Sequence, residues 1–327
     1  MTPAAGARAL ITGISGQDGS YLAELLVADG CEVHGIVRDA ADGAGNLDGV
    51  RDSVTLHVAD LLAPGSLRAV VAAATPDEIY HLAAPAFVPE SWSSLAATME
   101  AIAVVAGELI DVVRRDAPHA HVVLASSREI FGSTAPSPQR EDSPCRPTTP
   151  YGAAKLAAHQ LFGLARGRDG LHLSSAILYN HESPRRRPEY VTRKVTRAAA
   201  AISLGRLDRV TLGDLDAVRD WSAATDIVRG MRLMAAAPSA DDYVLASGVG
   251  RTVRELVAVA FACAGLDPGG HVDVDPALVR EHEPNPAIGD ASRAHERLGW
   301  TRQTGFDELI AEMVAADLVA MGPRPSI

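Results

Sequence analysis

Lysine is close to missing from this 327-residue chain: of 30 Lys and Arg residues, the two lysines are Lys155 and Lys194. Cysteine is scarce as well. The three present, Cys31, Cys145 and Cys263, follow no paired or metal-ligand spacing, so neither a disulfide framework nor a metal centre is expected, and a reducing cytoplasm is. Positive charge is in deficit: the formal net charge of −11 argues against a nucleic-acid surface. No apolar run reaches membrane-spanning length, and the first residues lack the basic-then-apolar design of a signal peptide, so no membrane partner is expected. What remains is 47% apolar with only 4% aromatics, the balance of an α/β protein rich in Ala and Val.

Strand, glycine turn and helix follow one another at the start. Ala7 to Thr12 reads as a short buried strand, and the stretch from Gly13 to Gly19 leads into an apolar helical pattern that continues to Ala28. Glycines at such a junction let the backbone approach a pyrophosphate, which then sits on the helix N-terminus. Gly13, Ser15, Gly16, Gln17, Asp18 and Gly19 are therefore candidate cofactor contacts, spaced G-x-x-G-x-x-G rather than G-x-G-x-x-G. A second strand, Cys31 to Val37, ends in Arg38-Asp39, where an adenosine ribose is met. Arg38 suits the 2′-phosphate of NADP and Asp39 the 2′-hydroxyl of NAD, which leaves the choice between them open. A third strand, Leu56 to Ala59, ends at Asp60-Leu61, where the acid either meets the adenine side or caps the next helix.

The fourth strand, Glu78 to Ala84, carries Ala83 at its end and is followed by Pro85-Ala86-Phe87-Val88-Pro89. A long helix is expected over Leu95 to Arg115. A fifth strand, His121 to Ala125, delivers Ser126-Ser127-Arg128-Glu129 at its carboxyl end, where open parallel sheets bind ligands. Leu173 to Leu178 is a sixth strand. The alternation implies a Rossmann-type doubly wound parallel sheet over residues 1–178. A smaller C-terminal α/β substrate-binding subdomain is expected over 179–327, with segments around 215–250 returning to the sheet.

Pro150 to Leu156 holds a Tyr-x-x-x-Lys pair. Tyr151 and Lys155 stand one above the other on a helix. An ammonium beside a phenol favours the phenolate and lowers its pKa, producing a base for a sugar or alcohol hydroxyl. The plain alternative is an amphipathic helix that happens to carry both, but where Arg serves almost everywhere else, a Lys is retained for its chemistry. Ser127 is equally read as a turn or helix cap. Farther on, Arg185 to Arg197 puts six basic residues into thirteen positions, a solvated face or a clamp for phosphates. Arg219 and Arg280 continue the theme.

These motifs resemble the extended short-chain dehydrogenases (the NAD-dependent epimerases and dehydratases), and among them the GDP-mannose 4,6-dehydratases. The resemblance runs through LITGISGQDGSYLAELL, Tyr151 to Lys155, NHESPRRRPEYVTRKVTR, LGDLDAVRDW and GDASRAHERLGW, covering nearly the whole chain. It implies that Tyr151, with Lys155, helps oxidise the sugar C4 hydroxyl, that Ser127 shares a hydrogen bond there, and that Glu129 removes the C5 proton and assists loss of water from C6. It implies cofactor contacts at Gly13, Ser15, Gly16, Gln17, Asp18, Gly19, Arg38, Asp39, Asp60, Leu61, Ala83, Tyr151, Lys155, His181 and Arg186. Around the nucleotide-sugar it implies Asn180, Thr192, Lys194, Arg219, Arg280 and Glu283. Three departures stand out. Arg128 replaces a small polar residue beside the sugar, Pro85-Ala86 replaces a polar pair, and the loop after Arg38-Asp39 is a short Gly/Ala stretch. The expected product is a 4-keto-6-deoxy sugar. A nucleotide-sugar 4-epimerase acting on a hexose or heptose is the rival, and a silent nucleotide-sugar-binding subunit the third reading. A homodimer built on the Leu95–Arg115 helix and the one after Tyr151 is expected, while the family's tetramer-forming loop is not matched.

Overall fold

Parallel strands covered by helices on both faces must be apolar on both faces, and the strands here are short runs of Val, Ile, Leu and Ala. The computed structural model describes residues 6–39, 45–133, 135–278 and 286–322. The first half alternates β1 (Arg8–Thr12), α1 (Gln17–Ala28), β2 (Glu32–Val37), β3 (Val54–Val58), α2 (Ser66–Ala74) and β4 (Glu78–His81). Next come α3 (Leu95–Met99), a π-helical turn over Glu100–Val104, α4 (Val105–Asp116), β5 (His121–Ala125), α5 (Pro150–Asp169) and β6 (Leu173–Leu178). The remainder is β7 (Asn180–Glu182), α6 (Val191–Ser203), β8 (Val210–Leu212), β9 (Val218–Ala223), α7 (Ala224–Ala235) and β10 (Asp242–Leu245). It closes with β11 (Gly250–Thr252), α8 (Val253–Cys263), β12 (Val272–Val274), α9 (Ser292–Leu298) and α10 (Phe306–Met321).

Seven strands form one sheet in the order β10-β6-β5-β4-β1-β2-β3, parallel throughout. This is the doubly wound arrangement, and its order reverses between β1 and β4. Leu22, Leu26, Met231 and Met234 of α1 and α7 cover one face; Leu67, Leu109, Ala158 and Phe162 of α2, α4 and α5 cover the other. β10 joins the sheet beside β6 although it lies far on in the chain. Beyond β6, α6, α8 and α10 enclose a separate core around Val195, Leu256, Phe261 and Met313. A three-stranded sheet, β11-β9-β7, and the pair β12-β8 lie alongside it. No described helix is long and apolar enough to cross a membrane.

Three local features decide where side chains point. Gly13 has φ +73°, and a Cβ there would approach Ala83 Cα to 3.0 Å, so the turn after β1 lies directly against the end of β4. The Thr12 hydroxyl joins the two strand ends, 2.9 Å from His81 Nδ1 and accepting from the Leu82 and Ala83 amides at 3.1 Å. Helix α5 starts with Thr149 as its cap, the hydroxyl accepting from Gly152 N at 3.0 Å, and with Pro150 in its first turn.

Candidate active site

Helix α1 begins at Gly16 without a side-chain cap, leaving the amides of its first turn to whatever lies in front of them. A Cβ on Gly19 would come within 2.3 Å of Gly13 O, and one on Gly16 within 3.2 Å of the same oxygen. The cradle therefore requires glycine at Gly19 and, by its positive φ, at Gly13, is tight at Gly16, and suits a pyrophosphate on a helix N-terminus. Ser15 lies in the same turn, its carbonyl accepting from Asn46 Nδ2 at 3.0 Å, a support that a Gly-rich loop gave no reason to expect.

Asp18 and Gln17 reach across to β7. Asp18 Oδ2 meets His181 Nε2 at 2.8 Å, while Gln17 donates to His181 O at 3.1 Å and accepts from the Ser183 hydroxyl at 2.8 Å. Burial would raise the Asp18 carboxyl, but the charge and hydrogen bond of His181 bring it below its usual range. Burial likewise disfavours a charged His181, and Asp18 overrides it, so the imidazole is raised. Both therefore brace the glycine loop. At the carboxyl end of β2, one strand in from the sheet edge, Arg38 and Asp39 stand exposed. Asp60 accepts from Leu62 N at 2.9 Å, so its carboxylate caps a turn, with Leu61 inside it; the cap of α2 is Gly65.

Beyond β5, Ser127 caps a single 3-10 turn over Arg128–Ile130, accepting from Glu129 N at 3.2 Å. The cap reading and the site reading of Ser127 both apply, because the same hydroxyl hydrogen-bonds to Tyr151. Lys155 Nζ donates to Ala125 O at 2.6 Å. Burial lowers this ammonium to about 8, with Asp18 acting in the opposite direction. For Tyr151 the sequence-based expectation is corrected. Burial drives the phenol upward, the Ser127 hydrogen bond only moderates this, and the Glu129 charge adds to it. Lys155 Nζ lies 5.7 Å from the ring centre, committed to the Ala125 carbonyl, and does not offset the desolvation.

On the other side of Glu129 opens a cleft of about 720 Å³, bordered by Phe87, Arg128, Asn180, Arg186, Tyr190, Lys194 and Arg219, with Leu212, Val218 and Val253 at its apolar end. Arg128 Nη2 pairs with Glu129 Oε1 at 2.5 Å, the two side chains only 11% and 14% exposed. Arg186 stacks on Tyr190 at 3.4 Å and pairs with Glu182 at 3.2 Å, while Phe87 meets Tyr190 edge-on at 5.7 Å. Lys194 Nζ donates to Thr211 O at 2.7 Å, and Arg219 Nη1 to Val218 O at 2.8 Å.

The expected phosphate clamp is smaller than the sequence suggests. Arg185 pairs with Glu24, Arg187 with Glu189 and Arg193 with the buried Asp317, and Arg197 is exposed away from the cleft lining, which leaves Arg186 and Lys194 of that run on the cleft. Thr192 is corrected as well: its hydroxyl, fully buried, donates to Glu182 Oε2 at 2.5 Å instead of facing the cleft. Pro85 and Ala86 are exposed, and Phe87 and Val88 take the place beside the cleft. Arg280 and Glu283 lie outside the described residues. Glu182 was not singled out from sequence; only the buried pairing with Thr192 and Arg186 gives it away. Asp220 was also passed over, although it ties together the amides of Ser247, Gly248 and Gly289. Among the described residues, no group of His, Cys, Asp and Glu could hold a metal ion.

The profile of a family described as GDP-mannose 4,6 dehydratase matches residues 10–313. The chain is 41% identical to GDP-mannose 4,6 dehydratase 2 of Arabidopsis thaliana over 323 residues, 95% of this chain and 86% of that protein. It is 37% identical to GDP-mannose 4,6 dehydratase of Homo sapiens, over 97% of this chain and 93% of that one. Among solved structures, UDP-glucose 4-epimerase of Thermus thermophilus in complex with NAD superposes with a TM-score of 0.82 at 27% identity, covering 95% of this chain and 98% of that one.

Proposed function

The chain belongs to the GDP-mannose 4,6-dehydratase family, and on that premise we propose that it converts a nucleotide-diphospho-hexose, in the first instance GDP-mannose, to a 4-keto-6-deoxy sugar. The observation that carries this is the convergence of Ser127, Glu129, Tyr151 and Lys155 at the carboxyl ends of β5 and α5's first turns, between the glycine cradle and the 720 Å³ cleft. A nicotinamide cofactor, when bound, would supply the hydride-accepting and hydride-donating chemistry that C4 oxidation and C6 reduction require. Gly13, Ser15, Gly16 and the first amides of α1 hold its pyrophosphate; Arg38 and Asp39 meet its ribose, and competitive titration with NAD and NADP decides between the two.

Tyr151 is the group placed to take the proton of the C4 hydroxyl, with Ser127 sharing the hydrogen bond and Lys155 supplying nearby positive charge; because burial favours the neutral phenol, it acts as base only after its own proton has been lost. Glu129 removes the C5 proton that the C4 ketone has acidified. Asn180, Lys194 and Arg219 meet the diphosphate and Leu212, Val218 and Val253 the base. In this reading residues 1–178 carry the cofactor and 179–327 mainly the nucleotide-sugar, with α7 and β10 returning to the sheet. A homodimer through α3, α4 and α5 completes it.

One observation favours a second reading. The Arg128–Glu129 ion pair occupies the group that elimination requires, whereas a 4-epimerase needs only Tyr151, Lys155 and room for the keto sugar to turn. Mass spectrometry of turnover in deuterated water decides. Product lighter by one water is the expected result; an unlabelled isomer of unchanged mass sinks the dehydratase reading.

A further inference from the structure

Elimination across C5 and C6 asks one carboxyl group to do two opposed things. It must first accept the C5 proton, as the electron pair of that bond passes into the enolate of the C4 ketone. The enolate then collapses to a C5=C6 double bond, the C6–O bond breaks, and the departing oxygen needs a proton to leave as water. A single Glu can serve both steps only if it holds a proton between them.

In this chain that carboxylate is not at liberty to move a proton from C5 across to the C6 oxygen. Its backbone is fixed twice: Glu129 N donates to the Ser127 hydroxyl at 3.2 Å, and Glu129 O lies where a Cβ on Gly152 would be only 2.5 Å away. Side-chain torsions alone remain to place the carboxylate, and Arg128 Nη2 holds Oε1 at 2.5 Å. Neighbours in sequence rarely face each other. They do so here because Ser127 to Ile130 is one tight capped turn whose two long side chains both enter the cleft. A proton on Oε1 would confront an N–H donor, so the pair has to open before that oxygen can carry one. Held there, the carboxylate can take a proton at C5 and return one to the same carbon through Oε2 without moving, whereas delivery at the C6 oxygen asks it to swing away from the guanidinium.

Resting on the dehydratase reading of this site, we propose that Arg128 is a positioning residue that clamps Glu129, so that exchange of the C5 proton outruns delivery of a proton to the C6 oxygen. The proton on Glu129 exchanges with solvent in the cleft and a solvent proton returns to C5; with the C4 hydride and hydroxyl proton then given back, many starting hexoses are recovered relabelled at C5 for each one dehydrated.

The test follows GDP-mannose in deuterated water and compares two quantities in one reaction: deuterium at C5 of recovered GDP-mannose, and dehydrated product. Exchange exceeds dehydration in the wild type. Arg128→Ser lowers the exchange-to-dehydration ratio by roughly tenfold or more, and Arg128→Lys, which keeps a charged donor, holds it within about threefold of the wild type. Both pathways share the C4 oxidation, so damage to folding or cofactor binding lowers them together and leaves the ratio alone. An unchanged ratio in Arg128→Ser overturns the clamp while dehydration itself still upholds the dehydratase reading. Absence of both exchange and dehydration on GDP-mannose and other nucleotide-hexoses overturns the two together.

Discussion

A buried ammonium and a buried phenol stand four residues apart at the start of α5, and burial acts on both against the charged form. Lys155 makes the sign of the effect testable. Its pKa falls from 10.5 in the unfolded chain to about 8 in the fold, so between those pH values the unfolded state binds more protons. Stability at this site therefore rises with pH through that window, and below about pH 8 the folded protein carries a buried charge that opposes folding. Lys155→Met removes that penalty. The variant should melt above the wild type at pH 7, and the gap should close as the pH rises toward 10.5, by thermal unfolding across a pH series. A variant melting lower at pH 7 would show that the Ala125 hydrogen bond outweighs the buried charge. Tyr151→Phe keeps the ring and loses the proton acceptor; kcat should drop about 10²–10⁴-fold. Retained turnover would assign the base elsewhere.

Glycine positions decide how elements meet. A methyl group on Gly19 would strike Gly13 O and Ile14 Cα at 2.3 and 2.7 Å, both backbone atoms that cannot swing aside. Gly19→Ala should cost about 1–3 kcal/mol by denaturant unfolding and abolish the thermal shift produced by the cofactor. A stable variant that still binds cofactor would remove the close packing of β1 and α1 from the account. This junction was legible in the sequence because strand, turn and helix lie within about twenty residues and each declares itself by local pattern. So was α5, announced by Pro150 and the Tyr-x-x-x-Lys pair at the start of an Ala-rich run, although its Thr149 cap was not. The cleft was less so. Arg193 finds Asp317, and Arg185 finds Glu24, far along the chain; no local pattern could separate these structural arginines from Arg186 and Lys194 on the cleft. The Arg128–Glu129 contact depends on one capped turn, and the raised Tyr151 on how deeply tertiary packing buries it.

Across the whole molecule, one outer face is more apolar than a solvated surface requires. Leu95, Met99 and Val104, on α3 and the π-helical turn, are 56%, 39% and 61% exposed, and Leu161 and Leu164 on the adjacent α5 are 39% and 71% exposed. Helices α3, α4 and α5 are neighbours, so these side chains belong to one side of the protein rather than being scattered. α5 also carries Tyr151 and Lys155 in its first turns, so whatever seats this face also steadies the helix that holds the candidate base. A second copy presenting the same helices would bury the patch as an isologous interface, each α5 against its counterpart region. Leu164→Glu places a charge in that patch far from the cleft. It should convert a dimer to a monomer in sedimentation at micromolar concentration and leave the isolated fold intact by circular dichroism. It should also lower the melting temperature in a concentration-dependent way, because association stabilises the folded state by mass action. A wild-type monomer at that concentration would remove the interface and a Leu164→Glu dimer would place it elsewhere; either leaves α5 to be held by packing within its own subunit.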